Sequence, residues 1–472
     1  MLSHLPESSR ERVFLAAIAL AGLLRFVNLG FLDLQAWDES LYAIRAEGIL
    51  RFGGWIDQTP FAIDGLYSSL HPPVYVWLTA IAMKIFGNSE FSIRFFSALL
   101  GALTLFVIYR IGKKIANAEV GLLAALLFGL NPFVSFYARQ GQFDSVLVFF
   151  LALSVYFLIS VDPQQYAKTA VLAGVSLGMA LMTKLYVAFG IPVAYLLWLF
   201  TTREEMKTRL WKNFGIIVFA ASIVAAPWYI YMTIAHGNGN ALFFLNASAL
   251  WERTVSGIEG NVKPLETFYF VNQLFVVFPA AVLWFAYGLW NSIRSREEPW
   301  LFVAVWLLVF FVVFSIMRTK LAVYLLPMFV PASLFAAKEL GNAIAGKIST
   351  KATTALVGGT LLTILWSSSQ EWRNAVKDVL LLRFESETLL TLLPFFALAL
   401  GALIITFVLF RFAWTDIVRR ALPYFIIIPS FLWSLYHVFY LETFQYNDGG
   451  KALADFVSQQ GVERLVVAGY ER

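Results

Sequence analysis

Long apolar stretches follow one another along most of this chain, separated by short connections in which Lys and Arg collect. A hydrocarbon core about 30 Å thick takes about 20 apolar residues per helix. On that measure the pattern predicts thirteen spans, near 13–31, 95–112, 119–137, 145–161, 167–183, 185–200, 214–234, 268–290, 299–316, 321–337, 353–368, 389–410 and 421–440. Val74–Phe86 is left out of that set. It has 13 residues, ends near Lys84 and runs into Gly87-Asn88, and a run of about 10–14 reads as interfacial or re-entrant. With the N-terminus inside, Arg10, Arg12, Arg110, Lys113 and Lys114 then fall on inside connections, where basic residues are densest. Counting Val74–Phe86 as a span would turn the last three outward.

The fold class expected is therefore an all-α polytopic membrane protein. A transmembrane domain runs over 1–440, with a first outer loop at 32–94 and a later one at 235–267, and an outer-face tail occupies 441–472. In the tail, Gly450–Gln460 reads as a helix and Arg464–Ala468 as a strand. That is too little for a core of its own, so the tail docks on the membrane domain or is the remnant of a larger soluble one.

Composition agrees and narrows the classes. Of the 472 residues 60% are hydrophobic and 14% charged, where soluble domains sit near half and a quarter. The first apolar run has no small-residue cleavage site after it. With no cysteine, disulfides, thiolate chemistry and cysteine metal sites are excluded. The net charge of +5 is scattered among loops and forms no basic stripe, which excludes nucleic acid as the partner. No internal repeat supports an inverted-repeat transporter, and no phosphate-binding glycine loop supports a soluble nucleotide donor.

Candidate chemistry gathers on the outer face. Trp37-Asp38-Glu39-Ser40-Leu41-Tyr42 sets two carboxylates just past the first span, where charge is costly without a use. Adjacent helical residues do not share a face, so one carboxylate addresses a cavity while the other caps the helix. The competing reading is that both are helix-start residues favoured by the macrodipole. His71-Pro72-Pro73 opens a helix well and offers a donor for an anion, with Tyr75, Trp77 and Lys84 suited to the headgroup layer. Asp144 lies outside, ahead of a span and close to Arg139. Arg318-Thr319-Lys320 with Tyr324 suits a phosphate, or else anchors two hairpinned spans by snorkelling. Lys184, within Met182-Thr183-Lys184, interrupts an apolar stretch and needs a partner. Arg25 reads as snorkelling or paired locally. Together these describe a cavity with carboxylates, phosphate-holding cations and access from lipid, which suits a lipid-linked phosphate as substrate.

The ordered set Trp37-Asp38-Glu39-Ser40-Leu41-Tyr42-Ala43, His71-Pro72-Pro73-Val74-Tyr75-Val76-Trp77 and Phe86-Gly87-Asn88-Ser89-Glu90-Phe91 with Arg94 resembles the ArnT/protein-O-mannosyltransferase group of GT-C glycosyltransferases. The resemblance continues through Asp144, Met182-Thr183-Lys184 and Arg318 to Pro327. It implies the GT-C fold and transfer of a sugar, with inversion, from a polyprenyl-phosphate donor to a lipid, glycan or protein acceptor. The implied place is the periplasmic or extracellular face of the plasma membrane. It makes Asp38 the base or acceptor-orienting residue, with Glu39 and Asp144 as further active-site acids. Around the donor phosphate it sets Lys184, Arg318, Lys320 and Tyr324, joined by His71, Arg253 and Tyr42. In the resembled group a Glu before the paired prolines and a His three residues before an Arg form a metal site. Here Leu70 and Leu250 stand at those positions, and leucine is no ligand. That metal site is expected to be absent, a divalent-cation site of another make-up stays open, and no other cofactor is implied. Leu41 replaces a further cation of the group. A transporter or flippase of a lipid-linked glycan is the alternative, and it would need a polar path to the inner face.

Overall fold

The computed structural model describes residues 6–35, 38–63, 65, 71–160, 166–202, 204–236, 251–256 and 269–364, with Leu432. Among them the chain is helical, without strands. The expected spans at 389–410 and 421–440 and the tail lie outside the described residues. The helices are α1 Glu7–Leu23, α2 Asp38–Phe52, α3 Val74–Phe86, α4 Glu90–Ile115, α5 Ala118–Gly129, α6 Pro132–Ala138, α7 Asp144–Ile159, α8 Tyr166–Leu181, α9 Leu185–Ala188, α10 Gly190–Thr201 and α11 Glu204–Ala235. They continue as α12 Tyr269–Val277, α13 Val282–Ser295, α14 Trp300–Ile316 and α15 Leu326–Ile344, followed by helix over 350–364.

Among the described residues three helices are long and apolar enough to cross a membrane, or four if α5 and α6 count as one bent span. The protein is a multi-pass membrane protein, and its surface says so. The apolar window of α11 is only 28% buried, with Phe219, Ile223 and Ile234 exposed, which is the pattern of a lipid-facing helix rather than a wetted one. The stretch 268–290, expected as one span, is two helices parted at Phe278–Ala281. Val74–Phe86 forms a single helix of 13 residues, about 20 Å long and too short to cross.

Tight crossings use small residues, as membrane helices do without a hydrophobic force between them. On α8, Gly174 and Gly178 face α11 so closely that a Cβ on Gly174 would sit 2.5 Å from the Ile217 carbonyl, and one on Gly178 2.6 Å from Val224 Cβ. The α5–α6 bend of 69° falls at Asn131-Pro132. The residue before a proline is driven to extended backbone, and Asn131 there caps α6 by accepting from the Val134 amide at 3.1 Å.

Broken helices leave carbonyls to satisfy, and two arginines do it. Arg25, wholly buried, donates to the carbonyls of Ala21 at 3.0 Å and of Gly129, the last residue of α5, at 3.4 Å. Arg139 donates in turn to the carbonyls of Leu24 and Arg25, each at 3.3 Å, and of Val27, where α1 ends. Arg25 is thus an internal cap, not a snorkelling side chain. The two ends of the bundle differ in chemistry. At one end the start of α1 pairs with α4 and α5 through Lys113–Glu11 and Arg10–Glu119. The starts of α4 and α7 and the α8–α9 break lie at the other.

Candidate active site

The site is built where α8 stops. Leu181 is its last residue, Lys184 is extended (φ −152°, ψ 98°) and α9 begins at Leu185. A helix can break at depth only if protein groups take over the freed carbonyls. Tyr229 Oη donates to the Leu181 carbonyl at 3.0 Å, and the Val74 amide donates to the Met182 carbonyl at 3.3 Å. The second bond docks the start of α3, and with it His71-Pro72-Pro73, onto Met182-Thr183-Lys184.

Around that junction the charged and aromatic groups converge. Asp144 heads α7, and its Oδ1 lies 3.3 Å from Lys184 Nζ. The ammonium sits 4.4 Å from the ring centre of Phe143 and 5.7 Å from that of Tyr324, near enough for cation–π attraction. The His71 ring packs 5.0 Å from Phe143. Tyr42 meets Tyr75 and Phe143 edge to face, at 5.3 and 5.4 Å. Arg45, one turn further on α2, donates to the His71 carbonyl at 3.0 Å and to Gln58 Oε1 at 2.9 Å. Arg253 Nη1 reaches the Tyr324 hydroxyl at 3.4 Å. Asp38, exposed at the start of α2, and Asp144 both act electrostatically on the buried Tyr42 hydroxyl.

Electrostatics follow from burial and from cations. Burial drives the His71 imidazole pKa down to about 3, and Lys184, Arg253 and Arg45 push the same way. Part of the ring remains reachable, but its dense surroundings remove most of its hydration. The imidazole is neutral at neutral pH, and its ring nitrogens make no hydrogen bond among the described residues. Burial raises the Tyr42 phenol well above its ordinary value, with Asp38 adding to the effect, so it stays a donor. Burial also lowers Arg45 to about 10, still charged at neutral pH.

Two residues expected at the reacting centre have other places. Glu39 is fully buried. Arg94 binds it through both oxygens, Nε to Oε1 at 2.8 Å and Nη2 to Oε2 at 2.7 Å, and the amides of Gln35 and Gly141 also donate to it. Every lone pair faces protein, so Glu39 is a tie between loops and not an open acid. Lys320 turns back to the carbonyls of Phe314 at 3.2 Å and Ser315 at 2.6 Å, capping α14, and burial lowers its pKa. It is not aimed at the recess. Arg318 is exposed. Its amide and that of Thr319 donate to the carbonyls of Thr254 (3.1 Å) and Arg253 (2.9 Å), which fixes the backbone that presents Arg253.

Three groups escaped the sequence reading. Arg45 belongs to no motif of the sequence. Arg94 stood in a motif without a role, yet it also holds the carbonyls of Leu29, Leu32 and Asp33. Asp57 pairs with His236 at 2.8 Å, joining the first loop to the end of α11. Their signal would have been pairing across long sequence separations, which one sequence does not display. Leu70 and Leu250, at the metal positions of the resembled group, lie outside the described residues.

The chain is similar to several known proteins. The family model for dolichyl-phosphate-mannose-protein mannosyltransferase matches residues 70–231. An undecaprenyl phosphate-alpha-4-amino-4-deoxy-L-arabinose arabinosyl transferase of Pseudomonas aeruginosa is 25% identical over 75% of this chain and 64% of its own length. An uncharacterized protein of Aquifex aeolicus is 26% identical over 70% of this chain and 64% of its own. The chain therefore spans a little under two thirds of these relatives. In structure it is similar to ArnT from Cupriavidus metallidurans bound to undecaprenyl phosphate, with a TM-score of 0.73, 20% identity and coverage of 96% and 81%. The apo oligosaccharyltransferase of Archaeoglobus fulgidus follows at a TM-score of 0.51, with 13% identity and coverage of 97% and 62%. The fold is the GT-C fold of ArnT, and in sequence the chain is similar to arabinosyl transferases and, over residues 70–231, to the mannosyltransferase family model.

Proposed function

We propose that the protein is an inverting glycosyltransferase that moves a sugar from a polyprenyl-phosphate donor to an acceptor hydroxyl at the outer face of the plasma membrane. The observation that carries this reading is the side-chain cluster in which Lys184 pairs with Asp144 and lies against Tyr324, Arg253 reaches the Tyr324 hydroxyl, and His71 packs on the same Phe143 ring as Lys184. Cations suit a departing phosphate, and carboxylates at the rim suit a hydroxyl that must lose a proton. In the reaction the acceptor oxygen bonds to the anomeric carbon from the face opposite the phosphate. The carbon–oxygen bond to phosphate breaks, its electron pair goes to the phosphate oxygen, and the acceptor proton goes to Asp38. Lys184 and Arg253 take up the charge that develops on the phosphate, with the Tyr324 hydroxyl as a neutral donor. Asp144 holds Lys184 in place. The relatives' named donor, an undecaprenyl phosphate sugar, fits this chemistry, and the acceptor is a lipid, glycan or protein hydroxyl.

Kinetics of two variants test the assignment. Asp38→Asn removes the proton acceptor and is expected to lower kcat by about 10²–10⁴-fold with little change in donor affinity. Tyr324→Phe is expected to weaken donor binding and leave the acceptor KM alone. Full kcat in Asp38→Asn would overturn the role of Asp38.

A further inference from the structure

Resting on the phosphate-site reading above, we propose that His71 is the switchable cation of that site: its imidazole is neutral while the recess is empty and protonated while a phosphate anion fills it, so that donor binding takes up a proton. Geometry argues for this first. The ring is fixed from both sides, its own carbonyl held by Arg45 at 3.0 Å and its face packed on Phe143, the ring over which Lys184 Nζ sits at 4.4 Å. Its nitrogens have no hydrogen-bond partner among the described residues, so they are available to a ligand.

The charges around it come from every packed element. Arg45 arrives from α2, Lys184 from the α8–α9 break and Arg253 from the 252–256 turn. Asp144 from α7 is engaged with Lys184, and the Tyr324 hydroxyl with Arg253. Tyr42 is neutral, and Asp38 is exposed at the start of α2, one turn before Tyr42. Without a bound anion the cluster already sets three positive charges around the ring, and a fourth is disfavoured. A bound phosphodiester adds a negative charge that favours the protonated ring. One negative charge about 4 Å away at an effective dielectric constant near 20 raises an imidazole's proton affinity by about three powers of ten. That lifts His71 from about 3 to near neutrality's acid side, around 6. The proton gained on binding is lost when the lipid phosphate leaves, which eases release of a product that fixed cations alone would retain.

The experiment uses a polyprenyl methyl phosphodiester, which has no titration of its own between pH 5 and 7, added to the full chain in nanodiscs. Titration calorimetry at pH 6 in two buffers of different ionisation heat counts the protons taken up. The wild type is expected to take up about half a proton at pH 6 and to bind about tenfold tighter at pH 5 than at pH 7. His71→Lys, a permanent cation, is expected to bind without uptake and with flat pH dependence, and His71→Gln to bind weakly and flatly. Wild-type binding without uptake and with flat pH dependence overturns the proposal while leaving the phosphate site intact. Equal uptake in wild type and His71→Lys moves the proton to another group and likewise overturns it. Failure of the wild type to bind the diester at any pH rejects the phosphate-site reading itself.

Discussion

Asp38 and Glu39 are neighbours in sequence and part company in space, because successive residues of a helix point about 100° apart. Asp38 stays at the surface of α2, while Glu39 turns inward to Arg94 and the amides of Gln35 and Gly141. Gly141 lies three residues before Asp144, so the same carboxylate ties the loop of one candidate acid to the loop of the other. A buried pair stripped of one partner leaves an uncompensated charge. Arg94→Ala is therefore expected to cost about 3–5 kcal/mol of stability. Arg51→Ala, which breaks the exposed pair with Glu47, is expected to cost less than about 1 kcal/mol. Thermal unfolding in detergent separates them, and equal shifts would remove the tie from the account. At this scale the sequence was informative wherever a charge interrupts an apolar run. Lys184 stood out for that reason and Asp144 for heading a span beside Arg139, and the two meet. Glu39 and Lys320 stood out equally, but sequence position says nothing about which way a side chain turns.

At the scale of elements, the breaks matter more than the helices. The turn at Met182–Lys184 is held because Tyr229 takes the Leu181 carbonyl before it and the start of α3 takes that of Met182, and it is what carries Lys184 to Asp144. The periodicity of α8 was legible, and so was the break. The docking of α3 onto it was not, since 108 residues separate Val74 from Met182 and no local pattern links them. The α8–α11 crossing rests on Gly178, where a larger side chain must push Val224 aside. Gly178→Leu is expected to unfold about 1–3 kcal/mol more easily, the range of overpacked cores, with a wild-type Tm as the contrary result. The Asp57–His236 pair clamps the first loop to α11. Burial alone would raise the Asp57 carboxyl, but the amide and hydroxyl of Thr59 together with His236 outweigh it and hold the pKa below its ordinary value. A carboxyl lowered by folding stabilises at neutral pH, and that contribution is lost as the pH falls below about 4. Hydrogen exchange over 55–63 is expected to speed up there in wild type and already at pH 7 in His236→Ala. Unchanged protection in both would dismiss the clamp.

For the whole molecule, a multi-pass fold that is helical over the described residues followed from hydrophobic run length, because lipid tolerates few other solutions. How the helices pack did not follow, since nearly every position is apolar and many pairings bury equally well. Sidedness remains a prediction from charge: the recess faces outward and the Lys113–Glu11 end faces the cytoplasm. A chain without cysteine allows a direct check, with single cysteines at exposed Arg318 and at Glu119. A membrane-impermeant thiol reagent applied to right-side-out vesicles is expected to label the first and spare the second, and the reverse would invert the topology.

The central claim is sugar transfer from a lipid phosphate. The full chain in nanodiscs, given an acceptor extract and a panel of polyprenyl-phosphate sugars, is expected to release free polyprenyl phosphate from at least one donor by mass spectrometry. Release is expected to vanish in Asp38→Asn and, because Leu70 and Leu250 replace metal ligands, to persist in EDTA. Binding of these lipids without release from any donor would contradict the account and leave a carrier of lipid-linked glycan in its place.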